Sequence, residues 1–274
     1  MSSMSLLNLT LLVVLIVGVT VVPSLSVSVE QDLALTLEEK TALDEFKKLI
    51  NGSLPLDYMN QDIYLIRWLR AKSLDIPGAN SLLRGHLKWR ADNHMDTILL
   101  EDFAAFNESY PIYEGEDYEG RPVLAGDAGE WDVRRGIVTG QQGKGERFVY
   151  REIERACQKV REKQGRGENV TRFQAIFDLK GFNLAQHGCI QCVSMYVNIL
   201  LSFQDHYPFM ADNVIIVNAP PFFRVVLDIL RPFAQPPLRG LVKRFGTNKE
   251  EWRKYLLNII PPNQLPVSLG GTRE

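Results

Sequence analysis

Two short apolar runs, residues 173–179 and 214–219, constrain this chain more than any other feature. Each has the length and the β-branched or aromatic content of a buried strand. The stretch between them, residues 189–203, is too long for a strand and reads as a helix. Strand, helix and strand at this spacing form a βαβ unit, with parallel strands and a right-handed crossover. Both runs are apolar at nearly every position, so both faces of their sheet are expected to be covered. The fold class is α/β.

The flanking sequence reads as further helices and one more strand. Thr36 followed by Glu39 is a capping-box spacing that opens a helix through Ile50, and Asn51-Gly52 stops it. Asp62 starts another, with Ile63, Ile66 and Leu69 at helical spacing, and Asp75-Ile76-Pro77 restarts the chain into the stripe Ala79, Leu82, Leu83, Leu87. Trp68, His86 and Trp89 are expected to pack that helical unit together. Glu119-Gly120 marks a tight turn, and residues 122–125 read as a short strand entered through Pro122. Residues 131–142 read as loop. So does Gly140–Gly145, because its lysine is not in the phosphate-loop pattern. Arg147, Arg151 and Arg155, interleaved with Glu152 and Glu154, read as a solvated helix face. Farther on, residues 238–243 suit a short helix, 244–247 a strand, and 248–257 a helix capped by Asn248.

Several motifs fall in a recognisable order. They are Asp178-Leu179-Lys180-Gly181, Tyr207-Pro208, Val217-Asn218-Ala219-Pro220 and Arg231-Pro232-Phe233. Upstream stand Arg67-Trp68-Leu69-Arg70-Ala71, His86 with Trp89-Arg90, and Gly120-Arg121-Pro122-Val123; Leu265-Pro266 and Gly270-Gly271 close the chain. Together they resemble the CRAL-TRIO lipid-binding domain family, and within it the supernatant-protein-factor subgroup. The resemblance implies a mixed, largely parallel sheet flanked by helices, preceded by a small N-terminal helical bundle. It places that bundle at residues 30–100 and the lipid-binding domain at 108–272. The β-sandwich that usually follows in the subgroup is expected to be absent, since the sequence ends at Glu274.

The same resemblance implies one hydrophobic lipid in an apolar pocket, no cofactor besides it, and no catalysis. Expected pocket residues are Phe177, Val193, Tyr196, Val197, Ile216, Phe222 and Val226, a composition that plain core shares. Residues 222–230 correspond to the family's lid helix, expected to be apolar inward and charged outward. Phe223, Ile229, Arg231, Arg239, Lys243 and Arg244 are expected to serve the lid and its docking on a membrane surface, where each basic side chain near anionic headgroups contributes about 1 kcal/mol. Phosphatidylinositol-binding members carry a glutamate after the Tyr-Pro pair and a lysine before Pro-Phe. Here Phe209 and Arg231 stand there. A phenyl ring accepts no hydrogen bond from an inositol hydroxyl, which argues for a less polar cargo such as a tocopherol, retinoid or sterol.

Other function classes fare less well. A formal net charge of −2 gives no basic excess for nucleic acid, and a monomer is expected. No zinc-protease, hydrolase-elbow or other metal motif occurs. Cys189-Ile190-Gln191-Cys192 is the one reactive pattern; a thiol oxidoreductase is its functional reading and small buried side chains its structural one. A scaffold that never releases its lipid is a further alternative. Residues 6–22 (Leu6 to Val22) are almost wholly apolar and end at Pro23, so residues 1–28 read as a signal peptide or a membrane anchor. With Asn-x-Ser/Thr triplets at Asn51, Asn107 and Asn169, this favours a glycoprotein on the secretory pathway, lumenal, extracellular or membrane-anchored, over a cytoplasmic one.

Overall fold

The computed structural model describes residues 29–274, so the apolar segment 6–22 and the expected leader or anchor lie outside the described residues. No helix among the described residues is long and apolar enough to cross a membrane.

The described residues open with four helices, α1 (Val29–Leu33), α2 (Leu37–Ile50), α3 (Asp62–Ala71) and α4 (Ile76–Asp92). The capping box at Thr36 forms: Thr36 Oγ1 accepts from Glu39 N (3.1 Å) and the Glu39 carboxylate from Thr36 N (3.0 Å). Leu43, Phe46, Met59, Trp68 and Leu83 make the core of this unit. After α5 (Ala104–Ser109) come β1 (Ile112–Glu116), β2 (Pro122–Gly126), α6 (Val133–Val138), α7 (Gln142–Gly165) and β3 (Phe173–Asp178). Then follow α8 (Leu184–His187), α9 (Ile190–His206), β4 (Ala211–Val217), α10 (Phe223–Leu230), α11 (Pro236–Leu241), β5 (Val242–Arg244) and α12 (Lys249–Ile259).

The sheet order is β1-β2-β3-β4-β5, antiparallel at β1–β2 and parallel thereafter. Parallel strands laid down in one direction by right-handed crossovers put every crossover helix on the same face. That face carries α7, α9 and α10, while α12 and the C-terminal segment cover the other. Strand alternation divides the side chains to match. Ile176, Ile215 and Val217 pack on Trp252, Leu256 and Ile260 of α12 and its extension. Leu124, Phe173 and Ala175 pack on Ile153, Ala156 and Val160 of α7. The mixed α/β sheet with a helical unit before it is the architecture expected from the sequence.

Local readings failed between residues 131 and 155. The stretch read as loop contains α6, and Gly140–Gly145 runs into the start of α7. The helix face read as solvated is largely buried, because its charges have distant partners. Arg147 pairs with Glu101, the Arg151 guanidinium lies 4.8 and 5.0 Å from the ring centres of Phe103 and Phe148, and Glu154 accepts from Arg90 and Tyr207. Near the C-terminus, β5 comes two residues earlier than expected and α11 ends at Leu241.

Candidate functional site

Helix α9 is apolar and almost nowhere buried. Among its residues only Cys192 is buried; Val193, Tyr196, Val197, Leu200 and Leu201 are all half-buried. None of those five joins the clusters on either face of the sheet or under α10. Polar contacts hold one side of α9 to α7: Asn198 Nδ2 donates to Glu146 Oε1 (3.1 Å), and the Tyr150 and Ser202 hydroxyls share a hydrogen bond (2.9 Å). Val193, Val197, Leu200 and Gln204 recur at helical spacing on the opposite side. Gln204 shows where that side points. Its Nε2 donates to Phe233 O (3.2 Å) and its Oε1 accepts from Gln235 N (3.0 Å), in the segment joining α10 to α11.

The apolar inner side of α9 therefore faces the α10–α11 segment above the sheet, and the region between them is the candidate cleft. Its floor is the α9 side of β3, β4 and β5. Phe177 and Val214 remain half-buried there, unusual for central strands, while Ile216 is 7% exposed and packs with Val242. Its roof is α10, where Phe223 is buried and Val226 and Leu227 pack beside Leu179 and Ile216. Burial raises the Tyr196 phenol above its ordinary pKa, so it stays a neutral hydroxyl in this wall.

The outer side of α10 departs from the expectation of charge. Phe222, Val225, Ile229 and Phe233 follow one another at spacings of three, four and four residues and are 39%, 60%, 43% and 45% exposed. The exposed Arg224, Asp228 and Arg231 stand among them. Phe222 and Phe223 thus exchange the parts read from sequence: Phe223 points into the fold, and Phe222 stands at the outer rim. The helix begins at Phe223, and a one-residue shift turns a helix by 100°.

The basic residues divide as well. Arg231, Arg239 and Arg244 are exposed around the lower end of α10 and α11, with Arg239 Nε donating to Ala234 O (2.7 Å). Lys243 does not join them. Alternation along β5 sends it to the α12 face, where its Nζ donates to Tyr255 Oη (2.7 Å). Phe209 adopts a left-handed backbone conformation (φ 56°), with the Arg172 guanidinium 5.8 Å from its ring centre. Arg172 is itself held by Asp32 at 2.6 and 3.0 Å.

Two cavities lie away from the cleft. One of ≈ 40 Å³, between α3, α4, α7 and the end of α9, is lined by Arg67, His86, Glu154, His206 and Tyr207. The other, of ≈ 190 Å³, is lined by Leu33, Ile63 and residues 167–171. The first is water-sized, and both fall below the several hundred Å³ of a site for a ligand of lipid size. No group of three or more His, Cys, Asp or Glu suited to a metal occurs among the described residues.

Cys189 and Cys192 are joined by a disulfide, which the sequence reading of two small buried side chains missed. Cys157 is buried in α7. Of the three Asn-x-Ser/Thr triplets, Asn51 and Asn169 lie exposed in loops, while Asn107 Oδ1 accepts from Arg151 Nη2 (2.5 Å).

Comparison with known proteins gives a consistent picture. Residues 107–271 match the CRAL/TRIO domain. The chain is 27% identical over 241 residues to Protein ctg-1 of Caenorhabditis elegans, covering 87% of this chain and 61% of that one. It is 26% identical over 250 residues to SEC14 cytosolic factor of Eremothecium gossypii, covering 88% and 78%. To Patellin-4 of Arabidopsis thaliana it is 29% identical over 213 residues, covering 77% and 38%, so it spans under two thirds of two of these relatives. Among solved structures it resembles that described as the crystal structure of Sfh5, with a TM-score of 0.65 and 16% identity over 80% of this chain and 83% of that one, a likeness of fold.

Proposed function

This chain belongs to the CRAL/TRIO family of lipid-binding domains, and from that premise we propose that it holds one hydrophobic lipid in the cleft between α9 and α10 and exchanges it at a membrane surface. The observation that carries this reading is the half-buried state of α9, an apolar helix whose Val193, Val197 and Leu200 join none of the buried clusters at the sheet or under α10 among the described residues. A lipid supplies that neighbour. Phe177 and Ile216 form the floor, Val193, Tyr196 and Val197 the wall, and Val226 the roof. About ten buried methylenes at ~0.8 kcal/mol each supply roughly 8 kcal/mol, enough for micromolar binding without a headgroup contact.

Helix α10 is the lid in this account. Its inner residues close a dry space, and its outer stripe of Phe222, Val225, Ile229 and Phe233 enters the membrane interface, with Arg231, Arg239 and Arg244 facing anionic headgroups. A less polar cargo than phosphatidylinositol suits Phe209, whose ring sits against Arg172 and offers no acceptor.

Transfer of a fluorescent lipid between vesicles tests this. Val225→Asp with Ile229→Asp changes only exposed side chains, so stability is expected to hold within about 0.5 kcal/mol. Transfer and vesicle binding are expected to fall at least roughly tenfold, as two apolar anchors are lost and two like charges meet the surface. Unchanged transfer would contradict the lid's part in docking.

A further inference from the structure

The disulfide at the start of α9 lies three contacts from the lid. Cys189 is the N-cap of α9, its Sγ accepting from Cys192 N–H (3.1 Å) as well as bonding Cys192 Sγ. Cys189 is half-buried and Cys192 is buried, with Cys192 Sγ 4.0 Å from the Gln186 carbonyl oxygen in α8. Asn183 caps α8 through Gln186 N–H (3.0 Å). The next residue in α8, His187, is buried; its Nε2 donates to Ala128 O (3.1 Å) and its ring stacks on Phe182 at 4.3 Å. Phe182 meets Phe223 of α10 edge-on at 5.2 Å and lies 6.1 Å from Phe222.

A bridge across three residues closes too short a loop to add much to global stability. What it fixes is local: the first turn of α9 and the joint to α8 at Gly188, where an added Cβ would fall 2.8 Å from Leu184 O. That joint carries the Phe182–His187 platform beneath the lid.

We propose that Cys189–Cys192 is a reversible dithiol–disulfide site that sets how readily α10 opens. In the reducing direction a thiolate of a low-molecular-weight dithiol attacks Cys189 Sγ, the more accessible sulfur. The Cys189–Cys192 bond breaks, and Cys192 Sγ leaves as a thiolate that takes up a proton. The second thiol of the reductant then loses its proton and displaces Cys189 Sγ, closing a disulfide in the reductant. Cys189 Sγ is released as a thiolate that takes up the second proton, so two electrons and two protons pass to the protein. With glutathione the same exchange uses two monothiol molecules. In the oxidising direction one cysteine thiolate opens oxidised glutathione, releasing one reduced glutathione, and the other cysteine, losing its proton, displaces the second as the Cys189–Cys192 bond forms. The N–H groups at the start of α9 stabilise a Cys189 thiolate, which makes it a good leaving group. In the disulfide form the joint is pinned and α10 rests closed on Phe182. In the dithiol form the first turn of α9 frays, the platform loosens and the lid opens more often. The cysteine pair is acted on by cellular thiol chemistry; it does not catalyse that chemistry for others. The consequence for lipid exchange rests on the lid reading above.

The test takes the full chain through mixtures of reduced and oxidised glutathione. Maleimide mass-tagging reads the two thiols, hydrogen exchange reads residues 222–234, and vesicles of phosphatidylcholine with a fluorescent phosphatidylcholine read transfer. The pair is expected to switch within that range, with exchange in α10 and lipid transfer about fivefold faster in the dithiol form. Cys189→Ser with Cys192→Ser is expected to match the dithiol form in every mixture. Equal hydrogen exchange in both forms, or thiols that remain free even in oxidised glutathione alone, would overturn the proposal. Transfer absent in both forms, with hydrogen exchange still differing, would remove the carrier reading and leave the switch standing.

Discussion

Helices α7 and α9 lie side by side on one face of the sheet and invert the usual relation between composition and burial. Helix α7 is rich in charge, yet nine of its residues are buried, among them Arg151, Glu152, Glu154 and Lys163. Helix α9 is apolar, yet buries one. Each buried charge of α7 has a partner: Arg151 and Glu152 pair with each other, Glu152 also with Arg155, Glu154 with Arg90, and Lys163 with Glu116 and Glu168, which is the condition for burying them. The apolar side of α9 meets less protein than its composition calls for. A folded chain keeps such a surface when something outside the chain covers it. The first helix is held by the protein's own contacts, and the second is the helix on which the proposed lipid site depends.

The contrast is broken most severely from the α7 side. Glu154→Ala removes the buried one of Arg90's two carboxylate partners, leaving the more exposed Asp96, and takes the acceptor from the Tyr207 hydroxyl. A loss of about 3–5 kcal/mol is expected, read as a melting temperature lower by roughly 10 °C. A well-tolerated Glu154→Ala would show that the ion pair does not hold the helical unit to the sheet.

Acid works on the same junction more gently. His206 stacks on Trp89 at 4.0 Å, near His86. Burial, and after it the Arg90 charge, pushes the His206 imidazole down to about 4, and the same causes in the same order push His86 well below its ordinary value. The unfolded chain protonates near pH 6.5, so it binds more protons than the folded one below that point. The stabilisation is complete above about pH 6.5 and is lost as the pH falls toward 4. For His206 this is worth about 1–2 kcal/mol after allowing for its partial exposure. Melting at a series of pH values should show a shallower decline in His206→Phe, which keeps the stack on Trp89; an identical decline would remove His206 from the account.

The smallest effect on stability belongs to α9. Leu200→Ala is expected to cost less than about 1 kcal/mol in lipid-free protein, against 2–5 for a fully packed leucine. A cost in the upper range would mean that α9 is packed like any core helix and that the cleft is not a site. The same substitution made with lipid bound should cost more, which sharpens the contrast.

Much of this architecture was legible because its signals are local. The apolar runs at β3 and β4, the capping box at Thr36 and the Asn248 cap each depend on residues within a turn or two of one another. The buried face of α7 was not legible, since Glu101, Phe103 and Arg90 reach it from distant parts of the chain and no linear pattern announces them. Helix α10 was legible as an apolar helix, but its rotation was not. Placing its start one residue early exchanges Phe222 for Phe223 on the inner side. Lys243 was misplaced for a similar reason: with β5 read two residues too late, the alternation that sends it toward Tyr255 was lost. The cysteine pair was visible as a motif, whereas its bond depends on the N-cap geometry that folds Cys189 back over the first turn of α9.

The account stands on the claim that a lipid covers the inner side of α9. Organic extraction and mass spectrometry of the full chain, purified without detergent, test this most directly, alongside Val197→Trp, which fills the cleft. The account predicts about one lipid molecule per chain in the unaltered protein, and little or none in a folded Val197→Trp protein. Equal lipid in both, or none in the unaltered chain together with no uptake from vesicles, would contradict it.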